Sequence, residues 1–108
     1  MKKKTITLGI YPGRLTIIFS EDFKEVSKKY KLYDIEQYKA FAANSSKLNY
    51  MLVFSDKSDM GAIVHEITHL KNYVFSNLGI EADLHNDENE AYFMEYLFLK
   101  VKNVLDKF

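Results

Sequence analysis

Apolar and polar residues alternate along two short stretches near the start of the chain. The first runs from Thr5 to Tyr11 and the second from Leu15 to Phe19, with the turn-forming pair Pro12-Gly13 between them. Alternation with a period of two, interrupted by turn residues, predicts a β-hairpin. A third strand is predicted at Tyr50–Phe54, where a short continuous run of apolar residues is bounded by turn residues.

The segment between the hairpin and the third strand has the spacing of short helices. Ser20 is a candidate N-cap for an amphipathic helix that extends to Tyr30, with acidic residues in its first turn. Asp34, with a glutamine three residues later, resembles a capping box and predicts a second short helix that continues to Ala42. We expect the polar residues 44–46 to form a loop.

Two longer helices are predicted in the second half of the chain. In the first, apolar residues recur at helical spacing after Ser58 or Asp59, either of which can cap its start. Gly79 stands where this helix is expected to end, because glycine is common at that position. The second helix is predicted from about Asp87 to Lys107 and carries an apolar stripe along its length.

The first of these helices contains two of the three histidines of the chain, in the motif His65-Glu66-Ile67-Thr68-His69. Residues four apart lie on one face of a helix, so both imidazoles can bind a single ion. Neutral imidazole is a good ligand for Zn²⁺, and a carboxylate beside it can accept a proton from water. This HExxH motif therefore predicts a zinc site with His65 and His69 as ligands and Glu66 as general base.

The composition limits the classes of protein to which the chain can belong. Its 108 residues predict a single domain, 1–108, and a hydrophobic fraction of 47% is enough for a core. Fifteen basic and fifteen acidic side chains cancel, so the charge favours neither nucleic acid nor a membrane as a partner. Because cysteine is absent, histidine and carboxylates are the available zinc ligands. The short, alternating N-terminal stretch does not resemble a signal peptide, so we expect a cytoplasmic protein.

A third zinc ligand has to come from outside the motif. The predicted C-terminal helix opens with carboxylates at Asp87, Glu88 and Glu90, far enough beyond His69 for the chain to return alongside the first helix. Carboxylates also favour a helix N-terminus for electrostatic reasons alone. Helical periodicity places Asp87 centrally on the apolar stripe, Glu90 near it and Glu88 towards one edge, and His85 is a further candidate. These residues by themselves leave the choice open.

A resemblance to a known family selects one of them. HExxH followed by a helix that begins Glu88-Asn89-Glu90-Ala91 resembles the gluzincin metallopeptidases, whose third ligand is the glutamate of an E-x-x-A segment. The resemblance implies Glu88 as the third ligand. The string D-E-x-x-A-Y that ends at Tyr92 is also similar to a group of small phage and prophage proteins with HExxH. Many gluzincins have an aspartate where this chain has Tyr92, whose hydroxyl is a candidate for orienting a histidine or stabilising an oxyanion.

We therefore expect an α+β fold, a small zincin-like domain. A short β-sheet, built from the N-terminal hairpin and strand 50–54, would pack on helices, and the HExxH helix would pack against a long C-terminal helix. The resemblance implies a zinc metallopeptidase that cleaves a peptide or protein substrate with metal-activated water. It also implies that strand Tyr50–Phe54 pairs with the extended substrate. The alternative is a non-catalytic, zinc-stabilised interaction protein that binds a host or virion component.

Overall fold

The order of strands and helices along the chain is ββαββαα. A computed structural model describes residues 1–108 and contains seven elements, which are β1 (Lys2–Thr7), β2 (Arg14–Phe19), α1 (Phe23–Tyr30), β3 (Ala40–Ser46), β4 (Asn49–Phe54), α2 (Met60–Leu78) and α3 (Glu88–Lys107). These elements form one mixed sheet with helices on it, which confirms the expected α+β class. No helix combines the length and the hydropathy needed to cross a membrane.

The sheet has four strands in the order β1-β2-β4-β3. β1 and β2 form the predicted antiparallel hairpin, β2 and β4 run parallel, and β3 pairs with β4 in the antiparallel sense. The first strand ends at Thr7, four residues earlier than predicted, because Leu8 turns into the core and Gly9 takes a left-handed conformation with φ of 80°. β1 and β3 are the two edges of the sheet.

Helices lie on both faces of the sheet, and this explains the apolar pattern of its two central strands. Alternate residues of β2 and β4, such as Ile17 and Leu52, join one cluster with α2 and α3. The residues between them, such as Ile18 and Val53, join a second cluster with α1. Because β4 is buried on both faces, its sequence is a continuous apolar run, which is how it was predicted.

The second short helix predicted after Asp34 is wrong. Asp34 has a φ of 59°, which breaks a helix, and residues 40–46 form strand β3 instead. Residues 44–46, expected to be a loop, are the end of this strand. Hydrogen bonding to β4 decides the conformation here, since strand propensity depends on the neighbouring strands more than on the local sequence.

The ends of the two long helices follow from their caps. Asp59 is the N-cap of α2, where its side chain accepts a hydrogen bond of 2.9 Å from the amide of Ala62. Gly79 closes the helix in a left-handed conformation with φ of 68°. α3 begins at Glu88, with Asp87 at the capping position but without a side-chain cap bond.

Candidate metal centre

The two histidines of the HExxH motif converge on one point above α2. The Nε2 atoms of His65 and His69 are 3.3 Å apart, and their rings meet edge to face. Both side chains are exposed on the surface of the helix. In the metal-free protein this distance also allows a hydrogen bond between the two imidazoles, with one ring as donor.

The geometry of this pair fits a tetrahedral zinc ion. Two ligands bonded to tetrahedral Zn²⁺ at about 2.0–2.1 Å lie roughly 3.4 Å from each other. The observed separation of 3.3 Å between the Nε2 atoms matches this value. His65, Glu66 and His69 are also the group of metal-binding side chains in this chain whose candidate ligand atoms all lie within 4.8 Å of one another.

Glu66 lies beside the histidines but is buried. Its side chain is 6% exposed, and its Oε1 atom is 3.6 Å from Nε2 of His65. Its other oxygen, Oε2, is buried without a hydrogen-bond partner. Burial raises the pKa of the Glu66 carboxyl, and the nearby histidines offset part of that rise when they are protonated. A buried carboxyl group with a raised pKa and a free oxygen is suited to accept a proton.

Strand β3 forms the wall opposite the histidines. One cavity of about 240 Å³ is bounded by His65, Glu66 and His69 on the helix side. Across from them lie Ala40 and Ala42 of β3, and the remaining walls are made by Tyr38, Phe41 and Tyr73. The small side chains of the two alanines leave the space above the histidines open.

The backbone of β3 is unpaired on its outer side. The amide of Ser55 donates to the carbonyl of Lys39. In an antiparallel pair, every second residue of a strand forms backbone hydrogen bonds to the neighbouring strand, so on this side Lys39 and Phe41 bond towards β4. Ala40 and Ala42 therefore direct their N–H and C=O groups away from β4, towards the free edge. These are also the residues that face the histidines.

The expectation that strand Tyr50–Phe54 would pair with a substrate is wrong. β4 lies between β2 and β3 and is hydrogen-bonded on both sides, so it has no free edge. The available edge next to the motif belongs to β3.

The C-terminal helix packs on the other side of α2 from the histidines. Nζ of Lys71 lies 2.6 Å from Oε1 of Glu90, and this partly buried ion pair joins the two helices. Lys71 and His69 are two residues apart, which is about 200° around a helix. The face of α2 that meets α3 is therefore turned away from the face that carries the histidines.

As a result, the structure does not bring Glu88 to the histidines. Glu88 is exposed in the first turn of α3 and lies outside the group of converging ligand atoms. Glu88 and Glu90 are two residues apart, which is about 200° around a helix. Because Glu90 faces α2, Glu88 points away from α2. The assignment of Glu88 as third ligand stays a prediction, which this arrangement of helices does not support.

The other candidates from the sequence line neither of the cavities that contain His65. Tyr92 is 63% exposed on α3 and does not line either cavity that contains His65. His85 is exposed in the turn between α2 and α3, where its amide donates to Asp83. Asp87 lines a separate cavity with Glu90 and other acidic residues.

Sequence reasoning overlooked the residues in and just before β3 that line the site. Ala40 and Ala42 reach the histidines through strand pairing between distant parts of the chain, which no local pattern shows, and Tyr38 precedes this strand. A weak signal for them is that Tyr38, Ala40 and Ala42 stand at every second position, as residues on one face of a strand do. No family model matches the chain, and neither a curated protein nor a solved structure matches it.

Proposed function

We propose that this protein is a zinc-dependent peptidase that cleaves extended polypeptides. The observation that carries the proposal is the arrangement of three side chains from one turn of α2. Two imidazole nitrogens lie 3.3 Å apart, as tetrahedral zinc requires, and the buried carboxylate beside them has an unpartnered oxygen. A free strand edge runs along the same site.

The residues of the chain divide the chemistry between them. His65 and His69 would hold the ion, which when bound polarises a carbonyl group and lowers the pKa of water towards neutrality. Glu66 would take the proton from the attacking water and transfer it to the leaving amine. Burial suits Glu66 to the first step, because a raised pKa makes its carboxylate a stronger base towards the attacking water. The second step also remains favourable, because an amine is a much stronger base than a carboxylate.

The edge of β3 would hold the substrate. An extended polypeptide that pairs with Ala40 and Ala42 satisfies their free N–H and C=O groups and lies over the histidines. Main-chain pairing of this kind selects an extended, unfolded or loop segment, because a peptide bond within a helix has its own hydrogen bonds.

The test uses two variants with zinc and a mixture of unfolded proteins. Wild-type protein is expected to create new termini, which mass spectrometry identifies. Glu66→Gln should bind zinc and fold but create none, because an amide cannot accept the proton. Glu66→Asp, which keeps the carboxylate, is the matched control and should retain part of the activity.

The rival function is a zinc-stabilised interaction protein without catalysis. A structural zinc site has four protein ligands and a catalytic site has three and a water. Two histidines converge here on an exposed surface, which is further from the structural type than from the catalytic type. If wild-type protein binds zinc tightly but produces the same termini as Glu66→Gln, the peptidase proposal fails and the rival function takes its place.

A further inference from the structure

Two cavities lie end to end along the groove between β3 and α2. The first, of about 240 Å³, is the cavity that both histidines line. The second, of about 310 Å³, is lined by Lys39, Asp59, Gly61 and Ala62. Ala40, His65 and Glu66 line both of them, so a bond held for attack beside Glu66 would have one cavity on each side.

The chemistry of the two cavities differs. Tyr38 and Tyr73 supply large walls of the first cavity, and neither of them lines the second. The walls of the second are small or charged, with Lys39 and Asp59 at its rim. A cavity of roughly 150 Å³ is enough to hold a benzene ring, so the first cavity has room for an aromatic side chain.

The direction of β3 decides which side of the bond each cavity would serve. Ala40 lies beside Gly61 and Ala62 at the start of α2. At the other end, Asn77 donates a hydrogen bond of 2.8 Å to the side chain of Asn44. β3 and α2 therefore run in the same direction along the groove.

A substrate strand antiparallel to β3 would run the opposite way. Antiparallel pairing is the commoner type, and β3 already pairs in this manner with β4. The amino-terminal part of such a substrate would lie over His69 and Tyr73, and its carboxyl-terminal part would lie over Gly61 and Asp59. Successive side chains of a strand point to opposite faces, so every second side chain would point down into the groove.

We propose that the protein selects substrates with a large apolar or aromatic residue on the amino side of the cleaved bond, held between Tyr38 and Tyr73. On the carboxyl side, the cavity at Gly61 and Ala62 accepts small or polar residues. This inference rests on the proposed peptidase function. It adds the class of substrate, which the motif itself does not indicate.

The test is a map of cleavage sites in a mixture of unfolded proteins, compared between wild type and two tyrosine variants. Wild-type sites should be enriched in Phe, Tyr, Leu and Met immediately before the bond. Tyr38→Ser should reduce that preference about tenfold, the scale on which apolar pockets discriminate. Because Tyr38 is 52% exposed, its replacement leaves the core intact.

A change of preference is more decisive than a loss. Tyr38→Lys should move the preference towards Asp and Glu at the same substrate position. Tyr33→Ser is the matched control, since Tyr33 is 85% exposed and lines no cavity. Cleavage without a preference before the bond, or with the apolar preference after it, would overturn the inference while leaving the peptidase function intact.

A binding measurement tests the same pocket without catalysis. The chain has no tryptophan, so a peptide with one tryptophan reports its own binding by fluorescence. Zinc-loaded Glu66→Gln protein should bind this peptide about tenfold more tightly than a peptide with serine in its place, measured by competition. Tyr38→Ser in the Glu66→Gln background should abolish the difference. Equal affinities for the two peptides would refute the proposed selection of large apolar residues by this cavity. This outcome can be observed even if the wild-type protein cleaves nothing.

Discussion

Glu66 should make the metal-free protein less stable than it would be with a neutral residue at this position. The side chain is 6% exposed and one of its oxygens has no partner, so its charge is held in an apolar place and only the neighbouring histidines, when they are protonated, compensate part of it. Its pKa is raised in the folded protein, chiefly by burial. Between the ordinary and the raised pKa the folded state binds more protons than the unfolded state, so the free energy of unfolding falls as the pH rises.

The size of the effect follows from the unpaired oxygen. Leaving a buried acceptor unsatisfied costs about 1–3 kcal/mol, and more when the group is charged. Glu66→Met keeps a similar length and removes both oxygens, so we expect it to raise the free energy of unfolding by about 1–3 kcal/mol at neutral pH. For a domain of this size each kcal/mol corresponds to a change of about 4–8 °C in Tm. Glu66→Gln removes the charge but keeps two polar atoms, and should lie between wild type and Glu66→Met.

The assay is urea denaturation in the presence of a metal chelator, at neutral pH and at an acid pH below the ordinary pKa of glutamate. The advantage of the variants should be largest at neutral pH and should shrink in acid, where wild-type Glu66 is protonated in both states. If both variants are less stable than wild type at neutral pH, then the Glu66 carboxylate makes favourable interactions, and the reasoning from its burial is refuted.

Three further predictions concern the metal and the helix ends. Wild-type protein should bind about one zinc ion per chain and gain about 2.7 kcal/mol of stability at zinc one hundred times the Kd, and His65→Ala or His69→Ala should lose both effects in metal analysis and thermal melts. Glu88→Ala should keep the zinc affinity of wild type in competition with a chelator, and severe loss of zinc from this variant would restore the E-x-x-A assignment. Glu90→Ala should lower the free energy of unfolding by about 1–3 kcal/mol, because it leaves the buried ammonium of Lys71 with Asn72 as its remaining partner. Asp59→Ala should cost about 1 kcal/mol of stability in urea, and Asp59→Asn almost nothing, because asparagine also caps helices.

The helix with the motif was predictable because every signal for it is local. Asp59 caps its start, Gly79 ends it, and the spacing of four residues puts His65 and His69 on one face. The burial of Glu66 is also a consequence of helical periodicity, since the residue falls on the stripe of α2 that packs on the sheet. The essential chemistry of the site was therefore contained in a few consecutive turns.

Strand β3 was not predictable in the same way, because its conformation is imposed by its partner. Its sequence, Ala-Phe-Ala-Ala-Asn-Ser-Ser, contains one residue type of high strand propensity, and Asp34 before it imitates a helix cap. The position of α3 was not predictable either, because it also depends on a contact between distant parts of the chain. A lysine is expected at the surface, yet Lys71 forms an ion pair with Glu90 that fixes which side of α2 the C-terminal helix covers.

The two edges of the sheet differ in a way that bears on function. β1 carries Lys2, Lys3 and Lys4, all exposed, and charged lysines on an edge strand oppose pairing with another chain. β3 has no charged residue and no proline in its seven positions, and its register shift lies between Asn44 and Ser46, beyond Ala40 and Ala42. The part of this edge beside the histidines therefore lacks the features that oppose pairing.

The uncharged edge strand β3 is also hydrogen-bonded, through its side chains and its turn, to α2, the helix that carries the HExxH motif. Asn77, near the end of α2, donates to Asn44 and to the carbonyl of Lys47, and so ties the β3–β4 turn to the helix. A sheet that only had to avoid aggregation would protect both edges. In this sheet the edge without charged residues runs beside Glu66. The free edge and the Glu66 carboxyl therefore lie next to each other, as the proposed peptidase function requires.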